Sequence, residues 1–240
     1  MGELVYLFNP EKQPQEVNME KHTIRRFDRK LSDLRDDVVH LGHSCEKQIT
    51  SSIDSLNSQD IGMAKEIIAN DQKINRQHDQ IEKAAIGAIV KWQPAAIDLR
   101  FLISVMKISG ELERIGDYAA NIAKRTIRMN DSADKESLEL ISEMADQCCT
   151  MLNNSIHSFQ DDDVDAAISV WHQDDDIDSL FKRSMNLITK AVGKTGDLTG
   201  NYSNLIFVAR CCERIGDHIK NVAENITYIH TGELYNSTVQ

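Results

Sequence analysis

The chain of 240 residues is long enough for one large core or for two of about 100 to 120 residues each. Three prolines, eleven glycines and 5% aromatics leave little to punctuate or fill a sheet, so the composition indicates an all-α protein. A net charge of −11 and a pI near 5.2 oppose binding to nucleic acid or to an anionic membrane surface. The one basic stretch, KHTIRRFDRK from Lys21 to Lys30, reads as a solvated helix face. No apolar run is long enough to span a bilayer, and the opening MGELVYLFNPEKQPQ has neither a signal-peptide core nor a myristoylation pattern, so no direct membrane insertion is expected.

Residues 1–19, with Pro10 and Pro14 and no helical period, read as a loose arm. The first helix is expected from Glu20 to Asn57. Phe27, Leu31, Leu34, Val38, Leu41, Cys45, Ile49 and Ile53 recur there in steps of three and four. A second helix, capped by Ser58 or Asp60, runs to Trp92. The Gln93-Pro94 turn starts a third, carrying Leu99, Leu102, Ile103, Met106, Leu112, Ile115, Ala119 and Ile122 to about Asn130. The polar break from Asn130 to Asp134 divides the chain into bundles at 20–131 and 132–232, leaving a tail at 233–240. Further helices are expected at about 134–160, 163–191 and 198–230. The glycine-rich connector from Val192 to Gly200 lacks the spacing of a phosphate-binding loop. Five cysteines, four of them in the adjacent pairs Cys148-Cys149 and Cys211-Cys212, fit neither a disulfide framework nor a zinc site and are expected to be small buried residues.

The pentapeptide ERIGD occurs twice, from Glu113 to Asp117 and from Glu213 to Asp217, followed in each case by Asn four positions on (Asn121, Asn221). Upstream, the segment from Ile53 to Ala64 aligns with Ile156 to Ala167 at an offset of 103, which also places Asp71 on Asp174, Ile74 on Ile177 and Asn75 on Asp178. The chain is therefore two tandem, elongated three-helix bundles related by internal duplication.

On a helix, positions i, i+4 and i+8 share a ridge, so Glu113, Asp117 and Asn121 line up, as do Glu213, Asp217 and Asn221. Asp71 with Asn75, and Asp174 with Asp178, form facing ridges on the preceding antiparallel helices. Oxygen ligands with no thiolate or imidazole in the row suit hard divalent or trivalent cations. The plainer reading is a solvated acidic face, with Arg114 and Arg214 pairing to Asp117 and Asp217 at i+3. Verbatim repetition in an otherwise diverged chain favours the site. Gly116 and Gly216, unfavourable inside a helix, mark a close approach by a neighbouring helix or by a cation cluster. A Glu-x-x-His di-iron motif and nucleophile motifs are absent, and His78, His157 and His172 are expected at the surface.

With ERIGD-x3-Asn once per repeat, the turn W92-Q-P-A-A-I-D-L-R100, and the second-helix segments N70-D-Q-K-I-N75 and D174-D-D-I-D178, the chain resembles the PhoU family of phosphate-specific transport accessory proteins from about Glu20 to His230. The resemblance implies a cytoplasmic, non-enzymatic regulator, held at the inner face of the membrane through its partners. Those partners would be the ATPase subunit of a phosphate ABC transporter and a sensor histidine kinase, with the chain acting as a homodimer that represses the phosphate-starvation response. It also implies a metal cluster on each bundle, of iron, zinc, manganese, magnesium or calcium. The ligands carried over are Asp71, Asn75, Glu113 and Asp117, and then Asp174, Asp178, Glu213 and Asp217. Asn75 stands where the second half has an acid, so the first cluster is expected to be weaker or differently charged. A carboxylate-bridged metal-dependent hydrolase and a metal-free helical adaptor remain the alternatives.

Overall fold

The structure is a computed structural model. It describes residues 13–129, 134–195 and 201–235, and for 13–24 and 194–195 it describes the backbone alone. Six helices follow one another: α1 (Gln13–Ser58), α2 (Ile61–Trp92), α3 (Ala96–Arg128), α4 (Lys135–Asp161), α5 (Val164–Thr195) and α6 (Asn201–Thr231). No strand occurs among the described residues. No helix among them is long and apolar enough to cross a membrane.

Three boundaries depart from the sequence reading. Helix α1 starts at Gln13, seven positions before Glu20, with Pro14 in its first turn, where a missing N–H goes unnoticed. Helix α3 starts at Ala96, two residues after Pro94. Helix α5 continues through Gly193 to Thr195, past the expected end at Ala191. The break at 130–133, the connector residues 196–200, the arm 1–12 and the tail 236–240 lie outside the described residues.

Local chemistry explains the other ends. Asp60 and Asp163, 103 positions apart, cap α2 and α5 by accepting from the N–H of Met63 and Ala166 at 2.9 Å. Gln59, Gln93 and Asp162 take left-handed φ of 53°, 47° and 55° after α1, α2 and α4, the turn that glycine usually provides. The chain thus closes its helices with few glycines.

The duplication is visible in the core. Cys45 Sγ donates to Leu112 O at 3.1 Å, and 103 and 100 positions on Cys148 Sγ donates to Cys212 O at 3.3 Å. All five thiols are free, and four are buried. The two halves do not stand apart. Helix α1 packs on α3, α3 on α6, α6 on α4 and α4 on α1, closing a ring of four, while α2 and α5 flank it on opposite halves. One continuous apolar core results, from Leu34 of α1 to Ile229 of α6. The α1–α4 crossing is tight at Gly42, where a Cβ would stand 2.4 Å from Ile156 Cδ1.

Arginines from the first half close helices of the second. Arg35 donates to the carbonyl of Phe159, pairs with Asp162 at 2.9 Å and lies 5.0 and 5.1 Å from the ring centres of Phe101 and Phe159. Arg100, the last residue of the Gln-Pro turn motif, donates through Nε to Ile229 O at 3.0 Å, near the end of α6.

Candidate metal-binding ridges

Each ERIGD helix packs antiparallel to the acid-bearing helix before it, and the glycine sets the spacing. A Cβ at Gly116 would meet Ile74 Cδ1 and Cγ2 at 3.0 Å and Asp71 Oδ1 at 3.6 Å. One at Gly216 would meet Asp174 Oδ1 and Ile177 Cδ1 at 3.0 Å. The glycines therefore let α2 and α5 approach, with the facing carboxylate placed directly over the helix backbone.

This brings Asp71, Glu113 and Asp117 into one electrostatic neighbourhood, and Asp174, Asp178, Glu213 and Asp217 into another. Burial pushes the carboxyl of Glu113 up, with Asp117 adding to it; burial and Asp217 do the same to Glu213. Asp71 is raised by burial and then by Asp117, against a hydrogen bond from Gln48. Asp174, only 7% exposed, is raised by burial despite Lys220. Burial and mutual repulsion thus outweigh the cations beside these carboxyl groups, Lys220 at Asp174 and Arg114 and Arg214 at the two glutamates.

Two buried oxygens on these ridges make no hydrogen bond, Asn75 Oδ1 and Glu213 Oε2, the latter with Arg214 Nε at the longer distance of 3.6 Å. Such atoms are costly to leave unsatisfied, and the donor set at both places is oxygen alone. The residues thus fit a hard cation. The acids face one another without converging on a point: among the described residues no three His, Cys, Asp or Glu side chains share ligand geometry. Arg114 and Arg214 hold Asp117 and Asp217 outward at 3.4 and 3.1 Å, the i+3 pairing expected from the sequence.

The two asparagines of the repeated motif are engaged differently. Asn121 Oδ1 accepts from Lys124 at 2.9 Å on its own helix. Asn221 donates to Glu111 of α3 at 3.1 Å, across the seam between halves. His218 reaches the same Glu111 oxygen at 2.6 Å. Burial pushes Glu111 up, but these two hydrogen bonds, together with the charge of His218 and Arg114, hold the carboxyl below its ordinary value.

Sequence reading missed two residues of the ridges. Gln48 of α1 donates to Asp71 Oδ1 at 3.0 Å and to Gly116 O at 3.1 Å. Its signal was a polar residue beside the apolar stripe, next to Ile49. Lys220 donates to Asp174 Oδ2 at 3.0 Å, three positions past Asp217, with Ala120 at its place in the first half. His78, expected at the surface, is half-buried and bonded to Ser109 Oγ at 3.0 Å, because it sits where α2 and α3 meet. His157 and His172 are exposed.

Comparison with known proteins agrees with the fold and its internal repeat. The family model described as PhoU domain matches twice, at residues 38–126 and 141–226. The phosphate-specific transport system accessory protein PhoU homolog of Clostridium acetobutylicum is 33% identical over 212 residues, covering 88% of this chain and 97% of that protein. PhoU homolog 1 of Thermotoga maritima is 29% identical over 86% of this chain and 90% of its own length. Crystal structures of PhoU from Streptococcus pneumoniae and from Pseudomonas aeruginosa each superpose with a TM-score of 0.82 at 29% identity. They cover 88% and 86% of this chain, and 99% and 100% of their own.

Proposed function

The chain belongs to the PhoU family, and from that premise we propose that it is a regulatory accessory protein of phosphate transport rather than an enzyme. It restrains phosphate uptake and the starvation response by linking the transporter's ATPase subunit to a sensor histidine kinase. It works in the cytoplasm as a homodimer. The names of its relatives, accessory and regulatory proteins of phosphate transport, support that role.

The observation that carries the cation part is the set of carboxyl groups held high by burial and by one another, among which Asn75 Oδ1 and Glu213 Oε2 are buried without a hydrogen bond. Asp71, Glu113 and Asp117, with Asn75, would hold metal in the first half. Asp174, Asp178, Glu213 and Asp217 would hold it in the second. The metal would supply positive charge, neutralising the ridge and locking α2 to α3 and α5 to α6. The partners would read that stiffened surface.

The test is elemental analysis of protein purified without chelators, beside the Glu113→Ala/Asp117→Ala double variant. Metal per chain should fall in the variant; unchanged content ends the ligand assignment. Separately, kinase autophosphorylation at high phosphate should rise when the chain is omitted from a reconstituted transporter–kinase membrane, and no change there removes the coupling role.

A further inference from the structure

The α3–α6 seam runs antiparallel and carries two cavities that the duplication makes equivalent. One, of about 550 Å³, is lined by Lys107, Glu111, His218, Asn221 and Glu224, among others. The other, of about 300 Å³, is lined by Tyr118, Asn121, Lys124, Phe207 and Cys211, with three arginines. Adding 100 to the α3 positions, and subtracting it from those of α6, converts one lining into the other: Lys107 becomes Phe207, Glu111 becomes Cys211, and Glu224 becomes Lys124.

The two have diverged in opposite directions. In the larger cavity two of the three glutamates are satisfied by neighbouring side chains, Glu111 by His218 and Asn221 and Glu224 by the indole N–H of Trp171 at 2.9 Å. The smaller has no acid in its lining and holds Lys124, Arg125, Arg128 and Arg210 in a chain whose net charge is −11. Among the described residues, a single carboxylate comes within ion-pair range of these four cations, Glu213 at 4.0 Å from Arg210. Lys124 donates to Asn121. Arg125 lies 3.8 Å over the ring of Phe207, which is 50% exposed in the cavity wall.

We propose that the Phe207 cavity binds a nucleoside phosphate, its planar base against Phe207 and Tyr118 and its phosphates on Lys124, Arg125, Arg128 and Arg210. The cavity's size is at the lower end of that for small-ligand sites. Guanidinium groups recognise phosphate bidentately, and an aromatic ring offers a stacking face to any base. Bare phosphate would have no use for the exposed ring. A macromolecular partner needs roughly 800 Å² of surface per side, far more than a cavity of about 300 Å³ between two helices presents.

Calorimetric titration of the full chain with ATP in metal-free buffer, which keeps the carboxylate ridges out of the reading, tests this. Saturable binding is expected. The Lys124→Glu/Arg125→Asn variant, which copies the residues of the larger cavity, should weaken it by about tenfold or more. Phe207→Ala should weaken ATP but leave inorganic tripolyphosphate unchanged, and Lys107→Phe in the other cavity should leave ATP binding intact. Circular dichroism melts matching the parent attribute a loss to the cavity; should the double variant melt early, Arg128→Glu at an exposed position reads the same loss. The proposal is overturned by no binding at millimolar ATP, by equal loss in the Lys107 variant, or by tripolyphosphate binding as tightly as ATP with Phe207→Ala silent. Retention of polyglutamate but not ATP would also overturn it, marking a surface for acidic protein.

Discussion

Lys220 Nζ stands 3.0 Å from Asp174 Oδ2 and 4.1 Å from the centre of the Trp171 ring, so the second ridge carries a cation of its own. The first ridge has instead the neutral amide of Gln48 on Asp71. The extra acid Asp178, against Asn75 in the first half, is thus offset by Lys220. Counting these groups alone, the first ridge has three acids and the second four acids and one lysine, so both come to −3. The expected difference between the two clusters then rests on Asn75 offering an amide oxygen where Asp178 offers a carboxylate.

Removing that ammonium leaves Asp174 buried and unpaired. Lys220→Met should lower the stability of chelated protein by about 2 kcal/mol, and added divalent metal should restore most of it. Thermal melts with and without metal decide; if the variant melts with the parent in chelator, Lys220 is not a counter-ion.

The raised carboxyl groups set a pH dependence. Asp71, Glu113, Asp174 and Glu213 hold protons more tightly folded than unfolded. Their contribution is complete below the ordinary carboxylate value of about 4 and is lost as pH rises through the folded values. Chelated protein should therefore lose stability from mildly acidic towards neutral pH, and metal should remove that slope. Glu111 runs the other way, its contribution vanishing as pH falls through its depressed value. Melting curves across pH, on the parent and on Glu113→Gln/Glu213→Gln, should show the slope flattened in the variant.

At Gly216, alanine gains up to about 1 kcal/mol of helix propensity. Its methyl would stand 3.0 Å from both Asp174 Oδ1 and Ile177 Cδ1, and overpacking of this kind costs about 1–3 kcal/mol. The clash wins, because one of the atoms to be moved is a carboxylate already held by Lys220. Gly216→Ala should unfold at lower denaturant and bind less metal; a variant more stable than the parent would mean that the helices can separate freely.

Arg35→Ala removes a hydrogen bond to Phe159 O, an ion pair with Asp162 and the stack on two phenylalanines. A loss of about 2 kcal/mol is expected. Lysine, which keeps the charge but not the plane, should recover less than half. Chemical denaturation of the three proteins checks both statements.

Much of this fold is legible in the sequence. Stripes such as Leu34, Val38, Leu41 and Cys45 declare a helix, because their period belongs to the backbone itself. The offset of 103 aligns Asp60 with Asp163, and both prove to be caps. What stayed hidden depends on residues far apart in the chain. Nothing local marks Gln48 as the partner of Asp71, or Glu111 as that of His218, 107 positions away. Nor does the pattern say that the two bundles would share a core, since a stripe facing a sister bundle looks like one facing its own.

The ring of four has a consequence for how this molecule is made. Arg35 and Arg100 reach carbonyls of Phe159 and Ile229, which leave the ribosome long after them. The early product has a bared apolar flank and waits for the later one to cover it. Each unit covers an apolar flank of the other, and separating them into two genes should return a pair of sticky fragments rather than two small proteins.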